Sequence, residues 1–125
     1  MMFKVKLLHW PGAGHYAVAI TQGLLDVQKL LQIFYAVSRA TEALPDCKVL
    51  IDFEDAEYKI GPAEIYSLVS RLGKQTGLRE KKIALVSGSG KEPFAGLVML
   101  SHCLARRGYK VAVFPTPKAA TAWLT

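Results

Sequence analysis

The segment Gly88-Ser89-Gly90-Lys91 combines residue types that bind phosphate groups. It follows the apolar run Ile83–Val86 and precedes a stretch with helical periodicity. In a strand–loop–helix arrangement, backbone amides at the helix start and a nearby lysine attract anions. However, Leu85 stands where a Walker-type loop requires its first glycine, and Glu92 stands where it requires serine or threonine. Two interpretations remain: a plain connecting loop, and a weak contact with an anion or ligand without ATP chemistry.

Acidic residues follow a second apolar run, 48–53, and could offer oxygen ligands to a cation. Asp52 and Glu54 would share one face of a strand, and Asp55 and Glu57 come directly after them. The spacing matches no calcium-binding loop, and no third fixed ligand is identifiable. A solvated acidic loop is therefore the favoured interpretation, and no metal site is predicted.

Histidines and a cysteine are the remaining candidates for acid–base or nucleophilic chemistry. His9 and His15 flank a predicted turn, whereas His102 and Cys103 are neighbours on a predicted helix. Consecutive side chains on a helix diverge by about 100°, so His102 and Cys103 are not a nucleophile–base pair. No catalytic constellation can be assembled, so we expect a protein that is not an enzyme and has no cofactor.

A second group of candidates lies near the predicted strand ends and helix starts. Tyr58, Ile60, Gly61 and Phe94 are expected to contribute to an interface or an apolar pocket if they form one exposed patch. Core packing is the alternative for the aromatic residues, because helical spacing already explains most of them.

Composition sets broad limits on the fold and on the partners. The chain has 125 residues, of which 51% are hydrophobic, so we expect a single ordered domain over 1–125. The net charge is +6, but the basic residues are scattered and form no nucleic-acid motif. No apolar run is long enough to span a membrane, and no signal peptide is recognised. Cys47 and Cys103 lie in apolar segments without ligand spacing, which predicts reduced thiols and a cytoplasmic location.

Hydrophobic periodicity and turn residues predict an α/β fold with the order ββαβαβαβα. The sheet is expected to be mixed and mostly parallel, covered by helices, with the strand at 48–53 in a central position. On the helix that begins at Pro93, the side chains of Phe94, Leu97, Val98 and Leu104 are predicted to point inward. The predicted strands are 3–10, 15–21, 48–53, 82–86 and 109–114. The predicted helices are 25–43, 62 to Gly73 or Gly77, 93–107 and a short closing helix that begins at Pro117 after Thr116.

This order, together with particular residues, resembles the STAS domain family, and within it the SpoIIAA-like branch of anti-sigma-factor antagonists. The motifs are Gly23-Leu24-Leu25-Asp26, Val49-Leu50-Ile51-Asp52-Phe53, Ile83-Ala84-Leu85-Val86, and Val111-Ala112-Val113-Phe114 followed by 119–124 with its Trp123-Leu124 ending. The resemblance covers nearly the whole chain as topology, although each motif alone is weak. It implies a single SpoIIAA-like (STAS-like) domain.

The resemblance also implies a function. In antagonist proteins of this family, a serine at the start of the helix after the central strand is phosphorylated and controls partner binding. That place falls here at Gly61-Pro62, which has no hydroxyl group, and Ser67 and Ser70 lie further into the helix. We therefore expect a non-enzymatic regulatory or interaction module without that serine, acting on a protein partner or as a homodimer. The alternative is a carrier or sensor of a small apolar (lipid-like) or anionic ligand.

Overall fold

The computed structural model describes residues 2–11, 14–58, 60–72, 76–88 and 95–125. Within these ranges strands and helices alternate after an initial hairpin, which confirms the predicted α/β class. The strands are β1 Met2–Trp10, β2 Gly14–Leu25, β3 Lys48–Tyr58, β4 Lys82–Val86 and β5 Lys110–Phe114, and the helices are α1 Val27–Ala40, α2 Pro62–Leu72, α3 Thr76–Arg79, α4 Ala95–Ala105 and α5 Pro117–Leu124.

The five strands form one sheet in the order β1-β2-β3-β4-β5. Strand β1 is antiparallel to β2, and every other neighbouring pair is parallel. The central position predicted for β3 is therefore confirmed. Because β3, β4 and β5 run in the same direction, their carboxyl ends meet at one edge of the sheet, which we call the carboxyl edge.

Helices cover both faces of the sheet. The larger apolar cluster joins one face to α1, α2 and α4, with Phe34, Phe53 and Leu104 fully buried in it. A smaller cluster on the opposite face packs Ala120 and Leu124 of α5 against β3 and β4. None of the helices in the described ranges is long and apolar enough to span a membrane.

Local capping residues explain where two of the helices begin. Asp26 precedes α1, and its side chain accepts a hydrogen bond from the backbone N–H of Lys29 at 2.9 Å. Thr116 precedes α5 and accepts from the N–H of Ala119 at 3.2 Å, with Pro117 in the first helical position. Each cap satisfies an amide that has no partner within its own helix.

Two local predictions are wrong, and one helix was not predicted. The predicted loop 54–60 is largely strand, because β3 continues to Tyr58 in parallel pairing with Gln22–Leu25 of β2. The short helix α3 was not predicted, although α2 ends at Leu72 in agreement with the Gly73 alternative. Val98 was predicted to point inward, but its side chain is 42% exposed because Leu97, Leu100 and Leu104 form the buried side of α4.

Candidate functional site

The carboxyl edge is held together between β4 and β5 by Ser87, the first residue after β4. Its backbone N–H and its hydroxyl both donate to the carbonyl oxygen of Phe114, at 2.9 and 3.0 Å. Ser87 is only 2% exposed, so these bonds lie away from solvent. This paired contact fixes the direction in which the chain leaves β4.

Gly88 is the part of the predicted anion-binding segment that the structure describes. Its φ of +96° belongs to the left-handed region that side chains other than glycine rarely adopt. A Cβ atom at this position would lie 3.5 Å from the Cα atom of Glu54, so the backbone after β4 packs directly on β3. Ser89, Gly90 and Lys91 lie outside the described residues.

The acidic segment after Phe53 belongs to strand β3 and is shaped by a pairing irregularity. The register between β2 and β3 shifts after Ile20 and Asp52, so β3 contains one extra residue there. The Asp52 carboxylate accepts from the backbone N–H of Glu54 at 2.9 Å. Asp55 and Glu57 are exposed. Across the described ranges, no group of three or more His, Cys, Asp or Glu residues is placed to hold a metal ion.

The start of α2 carries its own acidic partner. The Glu64 carboxylate accepts from the backbone N–H of Gly61 at 3.2 Å, while the Gly61 carbonyl accepts from Ile65 N–H at 3.1 Å. A glutamate at the third helical position that reaches back to the capping residue forms one half of a capping box. The favourable position for an anion at this helix start is therefore occupied by a side chain of the same helix.

The candidate residues before α2 also lie beside α4. Ile60 and Gly61 are both half-buried. A Cβ atom on Gly96, in the first turn of α4, would lie 4.0 Å from the Ile60 carbonyl oxygen. For Tyr58 the structure describes the backbone, which ends β3, and Phe94 lies outside the described residues. Of the predicted residues, Gly88 thus lies against β3 at Glu54, and Ile60 and Gly61 lie beside the start of α4.

A groove of about 740 Å³ runs between α2 and α4. Its exposed apolar walls come from Tyr66, which is 60% exposed, and Val98, which is 42% exposed. The groove was not predicted from the sequence. The sequence of α4 nevertheless contained an indication of an exposed apolar surface. The segment 95–105 has apolar residues around most of its circumference, whereas a surface helix normally has one polar side. The lining residues are Tyr66, Val98, Met99, His102, Cys103, Ala105 and Arg106.

The two cysteines are both free thiols in different environments. Cys47 is buried, and burial raises the pKa of its thiol, although the nearby positive charge of Lys81 opposes that change. Cys103 is half-buried in the wall of the groove. The thiol of Cys47 is thus protected both by burial and by its raised pKa.

The histidines do not join the candidate site as a group. His9 and His15 face each other across the hairpin with ring centroids 5.0 Å apart, at the end of the sheet opposite the carboxyl edge. His102 is exposed and lines the groove. The three residues are therefore divided between two distant surfaces.

Comparison with solved structures gives the fold a name. The chain is similar to an uncharacterized protein of the DUF3478 family from Shewanella loihica PV-4, described as having a SpoIIAA-like fold, with a TM-score of 0.61 and 15% identity over 98% of this chain and 93% of that one. The chain has a SpoIIAA-like fold.

A second solved structure supports the SpoIIAA-like fold. It is the anti-sigma factor antagonist SpoIIAA in its unphosphorylated form, with a TM-score of 0.50 and 16% identity over 97% of both chains. No protein-family model matches the sequence, and no curated protein matches it. At identities of 15% and 16%, these similarities establish the arrangement of strands and helices and leave function to the residues of this chain.

Proposed function

We propose that this protein is a non-enzymatic, STAS-like regulatory or interaction module that binds a protein partner at the carboxyl edge of its sheet. The observation that carries the proposal is that the segments which follow β3 and β4 are held in place by neighbouring elements. Gly88 packs on Glu54, and Ile60 lies against the first turn of α4. Loops held by a rigid sheet are where proteins most often place recognition residues.

The proposal includes binding without a phosphorylated serine at the start of α2. That position is Gly61-Pro62, and Glu64 already supplies the negative charge that a helix start favours. Ser67 and Ser70 are exposed, but they lie within α2, where backbone amides are used by the helix itself. These features support recognition by shape and apolar contact.

The alternative of a carrier for a small ligand receives less support from the shape of the surface. The groove between α2 and α4 is lined by exposed side chains such as Tyr66 and Arg106. A site that sequesters a small molecule normally buries most of the ligand surface. A cytoplasmic location is part of the proposal and is supported by the two free thiols.

Native mass spectrometry of the protein, tagged and purified from the cells that produce it, tests this function. We expect a stoichiometric complex with another protein or with a second copy. Ile60→Glu should abolish the complex, because it places a charge on the half-buried edge surface. Leu8→Glu, at a side chain that is 45% exposed on β1 toward the opposite end of the sheet, is the control and should retain it. A small molecule retained by a monomer would instead support the carrier.

The phosphorylation part of the proposal has a separate test. Intact-mass measurement of the same material should show the unmodified chain, and Ser67→Asp and Ser70→Asp should bind the partner as the wild type does. Recovery of a phosphorylated form that no longer binds the partner would contradict recognition without a phosphoserine switch.

A further inference from the structure

The outer side of α4 is apolar at the point where a surface helix is normally polar. Leu97, Leu100 and Leu104 face the core and are at most 3% exposed. Val98, at 42% exposed, and the half-buried Met99 project from the other side into the groove. Met99 and Cys103 also pack against the core with part of their surface, whereas Val98 is not among the residues that pack against it.

Positively charged residues lie beside the apolar side chains of Val98 and Met99. Arg106 and His102 line the groove, and none of its described lining residues is acidic. Arg107 follows directly and is also exposed. A second copy of this chain is a poor occupant, because a two-fold interface would bring Arg106 of one copy toward the same surface on the other without an acidic partner.

The shape of the surface distinguishes between the remaining occupants. A groove between two helices accepts a third helix, whose apolar side chains enter it at intervals of three and four residues. A flat lipid surface would contact the borders of such a groove more than its floor. The half-buried side chains of Met99 and Cys103 lie in the groove and are accessible to a convex, helical partner.

We propose that the groove between α2 and α4 binds an amphipathic helix of a partner protein, with its apolar side on Val98, Met99 and Cys103 and an acidic edge beside Arg106. This inference rests on the proposed function and specifies the chemistry of the partner. The groove begins next to the carboxyl edge, since Gly96 contacts Ile60 and Val98 is only two residues further along α4.

Two designed peptides test the proposal directly. Both are amphipathic helices of four turns, about 14 residues, with the same leucine stripe. One carries glutamate along one border of the stripe, and the other carries lysine at the same positions. Fluorescence anisotropy with the full chain should show at least about five-fold tighter binding of the glutamate peptide, which matches the effect of a few partly exposed ion pairs.

Variants of the protein locate the binding surface. Arg106→Glu should remove the preference for the glutamate peptide, whereas Lys118→Glu on the exposed face of α5 is the charge-matched control and should preserve it. Val98→Glu should weaken both peptides by about ten-fold, as expected for a central apolar contact. Leu24→Glu introduces the same group at a site of equal exposure, 42%, and should leave binding unchanged.

The free thiols provide a second readout that does not depend on substitution. In the native protein, a thiol reagent should modify Cys103 rapidly and Cys47 slowly, because Cys47 is 1% exposed. A saturating amount of the glutamate peptide should slow modification of Cys103 by about five-fold or more, as expected when a half-buried thiol is covered. The rate at Cys47 should not change.

Equal binding of the two peptides, or no protection of Cys103, would overturn the proposal. Binding to vesicles of phosphatidylcholine and phosphatidylglycerol that Val98→Glu abolishes, without binding of either peptide, would also overturn it and assign the groove to a lipid surface. A failure of the proposed function alone would give a different result. Ile60→Glu would then leave the native complex intact, and the glutamate peptide would still bind in the groove.

Discussion

Helices α1 and α4 cover the same face of the sheet, but their outer surfaces differ. The inward side of α1 includes Phe34 and Val37, and its outward positions include the exposed polar residues Gln28 and Gln32. In α4 the inward leucines are equally well buried, but Val98 lies on the outer side. The first pattern is that of a helix whose only apolar contact is the core.

The two helices show that an apolar residue on a surface helix need not belong to the core. In α1 the leucine, isoleucine and phenylalanine side chains are buried, and the exposed aromatic residue, Tyr35 at 37%, carries a polar hydroxyl group. In α4 hydrophobicity and burial disagree at Val98, and the disagreement occurs beside the carboxyl edge. Val98 and Tyr66 are exposed together in one groove, and this grouping is the reason for proposing a partner there.

Truncation of the inner faces should have the largest effect and should be similar in the two helices. Phe34→Ala in α1 should lower the free energy of unfolding by about 3–5 kcal/mol, and Leu104→Ala in α4 by about 2–5 kcal/mol, because each leaves a cavity in the core. Denaturant unfolding followed by circular dichroism measures both. A loss below about 1 kcal/mol at Leu104 would contradict its assignment to the core.

A change at the end of α4 should have the second largest effect on stability. After α4, Tyr109 N–H donates to Leu104 O and Gly108 N–H donates to Ala105 O, with Gly108 at a φ of +91°. Gly108→Ala should therefore cost about 1–2 kcal/mol. Gly77→Ala is the control, because a Cβ atom there meets no neighbour, and its unfolding midpoint should stay the same or rise slightly.

The start of α1 should show a smaller, pH-dependent contribution. The backbone N–H of Lys29, which donates to Asp26, lowers the pKa of that carboxyl below its usual value. A lowered pKa in the folded state stabilises the protein above the unfolded value of about 3.9, and this contribution is lost as the pH falls through the folded pKa. The stability difference between wild type and Asp26→Ala should therefore shrink below about pH 4.

Thr116→Ala provides the matched control for this pH dependence. Thr116 caps α5 with a hydroxyl group that does not ionise, so its loss should cost about 1 kcal/mol at neutral and acidic pH alike. Thermal unfolding across a pH series measures both variants. A constant difference for Asp26→Ala down to pH 2 would show that the carboxylate charge does not support the cap.

The smallest effect is expected on the outer faces. Val98→Ala and Gln32→Ala should each change the free energy of unfolding by less than about 0.5 kcal/mol, because both side chains are exposed. Only Val98→Ala should weaken binding of the glutamate peptide. A stability loss of about 2 kcal/mol at Val98 would place that side chain in the core and remove the difference between the two helices.

Much of the fold could be predicted from local signals. The bounds of β4 at 82–86 and the start of α5 at Pro117 agree with the prediction, since a short apolar run defines the first and Thr116-Pro117 defines the second. The central position of β3 also followed from its uninterrupted apolar run. Its full length did not, because residues 55–58 are strand through pairing with β2.

The candidate site was predicted only in part. The sequence indicated Ile60, Gly61 and Gly88 as neighbours of strand ends, and they follow β3 and β4 in the structure. The groove was missed because Tyr66 and Val98 come from helices that are far apart in sequence. The prediction placed Val98 in the core because its apolar character alone does not report direction.

Local signals in the sequence were enough to predict the order of the strands and of every helix except α3, the inner stripe of α1, and the cap at Thr116. These features depend on periodicity and on hydrogen bonds between residues close in sequence. Three other features follow from tertiary contacts: the extension of β3, the packing of Gly88 on Glu54 and the outward direction of Val98. Each of these depends on a partner from a distant segment of the chain. When a helix is apolar on two sides, only its packing against the rest of the protein determines which side faces the core.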